Sequence, residues 1–211
     1  MNPNLFSWDL FDKAPIVGIV RNLTLEELKI ILPLYREVGL TTIEITMNTP
    51  QAAELIAYAV DHESEGLNIG AGTVCTEADL KVALAAGAQF IVTPIIAPKV
   101  IKKCVKKNIP VFPGAFTPTE IYKAWDLGAP MVKVFPATAL GPSFISDLKG
   151  PLQQIKLLPT GGVNLENIRE FKRAGADGYG LASQLFNKTM IAQRDWEALK
   201  RHFSQHLEML A

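Results

Sequence analysis

Eight short runs rich in valine and isoleucine alternate with amphipathic runs along this chain, and that alternation restricts the fold more than any other feature. The strand-like runs are Pro15–Arg21, Thr42–Met47, Asn68–Val74, Phe90–Ile95, Pro110–Phe116, Met131–Pro136, Lys156–Gly161 and Gly178–Ala182. Parallel strands buried on both faces read as short apolar stretches of this kind. Between them, segments such as Leu23–Tyr35 carry apolar residues at helical spacing. Thr76-Glu-Ala-Asp79 and Thr117-Pro-Thr-Glu120 have the reciprocal capping pattern that opens a helix. Gly39, Gly87, Gly128 and Gly175 each stand just before the next strand, where a helix ends on a left-handed residue.

The strand-to-strand spacing is roughly 20–27 residues, with no linker and no low-complexity segment. Such repetition leaves a closed (β/α)8 barrel or an open doubly wound sheet. Eight units favour the barrel, and the first strand lacks the GxGxxG turn of a dinucleotide fold. The expectation is an α/β chain folded as one (β/α)8 TIM barrel over residues 1–211. A short N-terminal helix at Leu5–Phe11 would cover the bottom. With 211 residues and 48% hydrophobic content, one such core is affordable.

Charge and cysteine content exclude several classes. Lys plus Arg and Asp plus Glu both number 21, so no basic excess recommends nucleic acid or anionic lipid as a partner. No apolar run reaches the ~18 residues of a membrane span. Met1–Trp8 lacks the basic and apolar regions of a signal peptide, so a soluble, cytoplasmic protein is expected. Cys75 and Cys104 form no CxxC or zinc spacing and read as free buried thiols.

Barrel chemistry sits at the C-terminal ends of strands and the loops after them. Among the residues there, only Arg21, Glu44 and Lys133 carry charge. His62, His202 and His206 fall on helices, and one glutamate cannot supply a metal's ligands, so neither a catalytic metal nor a Ser-His-Asp arrangement is expected. Lys133 interrupts the apolar run Met131–Ala137. If Val132 and Val134 pack outward against the helices, Lys133 points into the barrel. An amine buried there needs a partner or loses its proton and becomes a nucleophile. Glu44, in Ile43-Glu-Ile-Thr46, is a carboxylate in the same kind of position. The two could instead form a purely structural ion pair. Pro159-Thr-Gly-Gly-Val-Asn164 and Gly180-Leu-Ala-Ser183 follow the last two strands, where such barrels bind phosphate. Those glycines could also serve only tight turns.

These segments resemble the family of 2-keto-3-deoxy-6-phosphogluconate, 2-keto-3-deoxy-6-phosphogalactonate and 4-hydroxy-2-oxoglutarate aldolases. The resemblance runs through Ile43–Pro50, Gly70–Val74, Ile91–Pro94, Phe112–Gly114, Val132–Ala137 and Leu158–Val163. It implies a class I aldolase that needs no metal or cofactor, acts on a phosphorylated keto acid and pyruvate, and assembles as a homotrimer. Lys133 matches the Schiff-base lysine and Glu44 the general acid/base. Thr73 and Pro94 match the pyruvate end, with Phe135 near the imine. Thr160, Gly161, Gly162 and Ser183 match the phosphate end.

Two positions depart from the gluconate pattern. Asn48 stands where gluconate-type members look to carry an arginine that anchors the substrate carboxylate, and Arg21 could supply that charge. Asn48–Pro50 and Gly180–Ser183 look galactonate-type, whereas Thr160 looks gluconate-type, which leaves the C4 epimer open. A sugar-phosphate 2-epimerase, a silent phosphosugar binder and a trimeric scaffold are the competing readings.

Overall fold

The computed structural model describes residues 5–210. The signal-peptide reading therefore lies partly outside the described residues, at Met1–Asn4. All eight expected strands form: β1 (Ile16–Val20), β2 (Thr42–Thr46), β3 (Asn68–Gly72), β4 (Phe90–Thr93), β5 (Val111–Ala115), β6 (Val132–Val134), β7 (Leu157–Pro159) and β8 (Tyr179–Leu181). They are parallel, in the order β7-β6-β5-β4-β3-β2-β1-β8. The ends of that row meet through a Thr160–Gly180 bridge. Asp177 strengthens the seam: its N–H donates to Leu157 O at 2.9 Å and its Oδ2 accepts from Leu157 N–H at 2.8 Å. The result is a parallel (β/α)8 barrel.

Helices surround the strands: α1 (Trp8–Lys13), α2 (Leu25–Glu37), α3 (Ala52–Glu63), α4 (Glu77–Ala85), α5 (Pro98–Lys106), α6 (Pro118–Asp126), α7 (Gly141–Lys149), α8 (Ile168–Arg173), α9 (Lys188–Ala192) and α10 (Trp196–Glu208). Full capping boxes open α2 (Thr24, Glu27), α4 (Thr76, Asp79) and α6 (Thr117, Glu120). The four glycines expected to end helices all lie at φ between 91° and 97°. None of the helices among the described residues is long and apolar enough to cross a membrane.

Alternation along the strands divides the core in two. Val132, Val134, Ile43 and Ile45 face outward into the cluster beneath the helices. Val17, Phe90, Val92, Phe112, Met131 and Leu158 belong to a separate inner cluster, joined by Phe11 and flanked by Phe6 and Trp8. Phe6 packs edge-on against Phe90 and Phe112, with ring centroids 5.3 and 6.0 Å apart. This aromatic plug covers the N-terminal end of the barrel.

Two expectations need correction. The first helix begins at Trp8 rather than Leu5, because Ser7 caps it by accepting from Leu10 N–H. Ser7 is also tied to Asn68, whose Oδ1 accepts from Ser7 N–H at 2.7 Å and whose Nδ2 donates to Ser7 O at 2.9 Å. Cys104 is buried, but Cys75 is exposed, because it sits in the loop between β3 and α4 rather than on a packed face.

Phe11 is 1% exposed and holds the plug to the inner core. Phe11→Ala should cost about 3–5 kcal/mol of stability, as for other aromatic truncations in packed cores. Urea unfolding checks this; a loss under about 1 kcal/mol would mean the plug is not part of the cooperative core.

Candidate active site

Lys133 points inward, as the outward packing of Val132 and Val134 requires. It is 7% exposed. Its neighbours across the ladder are Gly114 on β5 and Leu158 on β7. A side chain at Gly114 would run into the backbone carbonyl of Pro94, so the glycine permits close strand approach beside the amine. Glu44 also faces inward, is 1% exposed, and lies level with Ile19 and Gly70 on the flanking strands. A Cβ at Gly72 would overlap the Glu44 carboxylate. Glycine there makes the room that the carboxylate occupies.

The electrostatics of the two groups are reciprocal. Burial pushes the Lys133 ammonium down from the ordinary lysine range, Glu44 opposes that shift and Arg21 adds to it. Burial pushes the Glu44 carboxyl up, with Lys133 and Arg21 opposing. Neither group belongs to an ion pair among the described residues. Glu44 Oε2 has no hydrogen-bond partner among the described residues. A structural salt bridge between them is therefore not the arrangement here. The Lys133 Nζ lies 5.0 Å from the Phe135 ring centroid.

The remaining expected residues distribute around the mouth. Arg21 is exposed on the rim just after β1 and acts electrostatically on both buried groups. Next to it, Asn22 N–H donates to Thr49 Oγ1 at 3.1 Å, and Thr49 in turn bonds Thr46 Oγ1 at 3.0 Å. This fastens the loop after β1 to the loop after β2. Asn48 is exposed in the latter loop. Thr73 is half-buried at φ 58°, a left-handed conformation unusual for a β-branched residue and costing of order 1–3 kcal/mol. Pro94 is half-buried and Phe135 exposed at the ends of β4 and β6.

Thr160 is buried at the closing seam. Gly161 and Gly162 follow at φ 87° and 80°. A Cβ on Gly162 would sit 2.7 Å from Thr138 Oγ1, so only glycine lets this loop approach the loop after β6. Asn167 holds the turn, donating from Nδ2 to Gly162 O at 2.8 Å and accepting from Asn164 N–H at 2.9 Å. The Gly161 N–H belongs to the Thr160–Gly180 bridge, whereas the Gly162 N–H meets no acceptor among the described residues. Ser183 is exposed on the neighbouring loop after β8. It lines a cavity of about 440 Å³ together with Ile19 and Arg21. Sequence reasoning missed Thr138 and Lys188, the latter also on that cavity, because both lie beyond the strand tips. No cluster of three His, Cys, Asp or Glu side chains suited to a metal occurs among the described residues.

The sequence pattern of the "KDPG and KHG aldolase" family matches residues 9–202. The chain belongs to this aldolase family. It is 35% identical to the 2-dehydro-3-deoxy-6-phosphogalactonate aldolase of Escherichia coli, over 86% of this chain and 89% of that protein. It is 37% identical to the 2-dehydro-3-deoxy-phosphogluconate aldolase of Treponema pallidum, over 77% and 79% respectively. It is also similar to a Legionella pneumophila KDPG aldolase solved with pyruvate captured at low pH as a covalent carbinolamine intermediate. That pair has a TM-score of 0.85 and 25% identity, with 97% of each chain covered. Galactonate and gluconate enzymes thus match this chain about equally well.

Gly72→Ala tests whether the space beside Glu44 matters to an aldolase. Displacing a reacting group by about 1 Å costs on the order of 10²-fold, so kcat for cleavage should fall by that order while near-UV circular dichroism stays native. An unchanged kcat would mean that the Glu44 position is not critical.

Proposed function

We propose that this chain is a class I, Schiff-base aldolase that cleaves a 2-keto-3-deoxy-6-phospho sugar acid to pyruvate and glyceraldehyde 3-phosphate. 4-Hydroxy-2-oxoglutarate, giving pyruvate and glyoxylate, is a further substrate. The observation that carries the reading is the burial of Lys133 and Glu44 on one inner surface without an ion pair, in a chain of this family. The enzyme is an aldehyde-lyase, and residues 1–211 act as one catalytic domain.

The roles follow from the environment. Lys133, its pKa held down by burial, supplies a neutral amine that attacks the C2 ketone. Water leaves the carbinolamine and an iminium forms. Its positive charge draws in the electron pair of the breaking C3–C4 bond. Glu44, acting through a water, takes the C4 hydroxyl proton as the aldehyde departs; help of this kind is worth about 10²–10⁴-fold. The enamine is then protonated at C3, and hydrolysis of the iminium frees pyruvate.

Thr73 and Pro94 line the pyruvate end, with Phe135 against the imine. Arg21 anchors the carboxylate, with Asn48 at the neighbouring rim. Thr160, Gly161, Gly162 and Ser183 hold the phosphate, a role supported by the unengaged Gly162 N–H. Exposed Ile95 and Phe116, on loops after adjacent strands, support self-association as a homotrimer. A cytoplasmic setting agrees with the phosphorylated substrate. The family match is to aldolases, which does not favour the epimerase reading. The silent binder loses the ion pair on which it depended.

Pyruvate with sodium borohydride should leave a reduced pyruvyl adduct on Lys133, found by peptide mass spectrometry and absent in Lys133→Ala. No adduct with folded protein and excess pyruvate would overturn the aldolase reading. The pH dependence of trapping should be titrated in two variants. Glu44→Gln removes the negative charge that raises the Lys133 pKa, so the midpoint should move to lower pH. Arg21→Ala removes a like charge that lowers it, so the midpoint should move to higher pH and KM for pyruvate should rise. Midpoints that stay fixed in both variants would separate Lys133 from these two neighbours.

A further inference from the structure

The loop after β8 brings a cation to the mouth that the roles above do not use. Lys188 is the first residue of α9, and Asn187 caps that helix by accepting from Thr189 and Met190 N–H at 3.0 and 3.1 Å. The cap fixes the backbone from which Lys188 projects. The side chain lines the 440 Å³ cavity between the loops after β1 and β8, together with Arg21, Asn22 and Ser183. The inner wall of this cavity is Ile19, which pairs with Glu44 in the β1–β2 ladder. Arg21, on the same cavity, is near enough to act on both Lys133 and Glu44. Arg21 thus links the buried pair to a cavity that Ser183 and Lys188 also line.

The chemistry of that space favours a compact anion. Arg21 and Lys188 are cationic, and Ser183 offers a hydroxyl. Glu27 is the one carboxylate on the cavity. Its Oε2 is occupied by the capping box of α2, accepting from Thr24 N–H at 2.8 Å and from the Thr24 hydroxyl at 2.9 Å. Lys188 forms no ion pair among the described residues. Leu23, Phe186 and Ile191 supply apolar wall, which weakens solvent screening of a charge held there. A cavity of this size fits a short phosphorylated carbon chain. The ammonium serves a phosphate as a point charge, free to follow it as the aldehyde moves.

We propose that Lys188 binds the phosphate of the aldehyde half of the substrate, together with Ser183, and sets the preference for phosphorylated over unphosphorylated aldehydes. The proposal rests on the aldolase reading above. It makes Lys188 a specificity-determining residue remote from bond cleavage.

The test is condensation of pyruvate with two acceptors, glyceraldehyde 3-phosphate and glyoxylate, by wild type, Lys188→Gln and Lys188→Arg. The ratio of kcat/KM for the phosphorylated acceptor to that for glyoxylate should fall about tenfold or more in Lys188→Gln, mainly through KM, the size expected for one charge-assisted contact. Lys188→Arg should recover most of the ratio. A ratio within twofold of wild type in Lys188→Gln, or equal losses on both acceptors, would overturn the proposal. Borohydride trapping of pyruvate by the same proteins separates the two levels. An adduct with an unmoved ratio removes Lys188 alone, whereas no adduct in wild type removes the aldolase reading and this proposal with it.

Discussion

An amine and a carboxylate are sequestered from water in one barrel interior, yet they do not collapse into an ion pair, and the rest of the site depends on that separation. Burying either charge alone is costly, so each group is driven toward its neutral form. A closed pair would satisfy both and leave neither reactive. The strands maintain the separation by what they omit: Gly72 gives the Glu44 carboxylate its space, and Gly114 keeps the strand beside Lys133 bare. Arg21 at the rim then acts on both groups from the solvent side.

The mouth is organised by ties between loops rather than within them. Thr49 fastens the loop after β1 to the loop after β2. Gly162 against Thr138 brings the loop after β7 onto the loop after β6. Asp177 and the Thr160–Gly180 bridge close β7 to β8. The unusual φ of Thr73 sits within this framework, as expected of a strained residue held by its surroundings. Substrate groups bound to different loops are thereby held at fixed relative positions, which is what bond cleavage at one carbon and phosphate binding at another require.

The fold was largely legible in the sequence because its signals are local. Strands buried on both faces show as apolar runs, and Thr76/Asp79 and Thr117/Glu120 write their capping boxes within four residues. The inward direction of Lys133 followed from Val132 and Val134 alone. What escaped depends on partners distant in sequence. The start of α1 is set by Ser7, which Asn68 anchors across the bottom of the barrel. The separation of Lys133 from Glu44 is a matter of three dimensions, and so the ion-pair reading stayed open until the geometry was seen. Lys188 lies past the strand tips, and only the cavity brings it to Arg21 and Ser183.

The aromatic plug formed by Phe6, Trp8 and Phe11 has a kinetic consequence. With its floor closed, the barrel is a cul-de-sac: whatever enters through the rim must leave through it. On the proposed mechanism, pyruvate tethered to Lys133 sits behind the aldehyde fragment, which lies nearer the exit. Departure is therefore sequential, aldehyde first and keto acid last, and the order is imposed by the shape of the vessel as much as by the covalent bond.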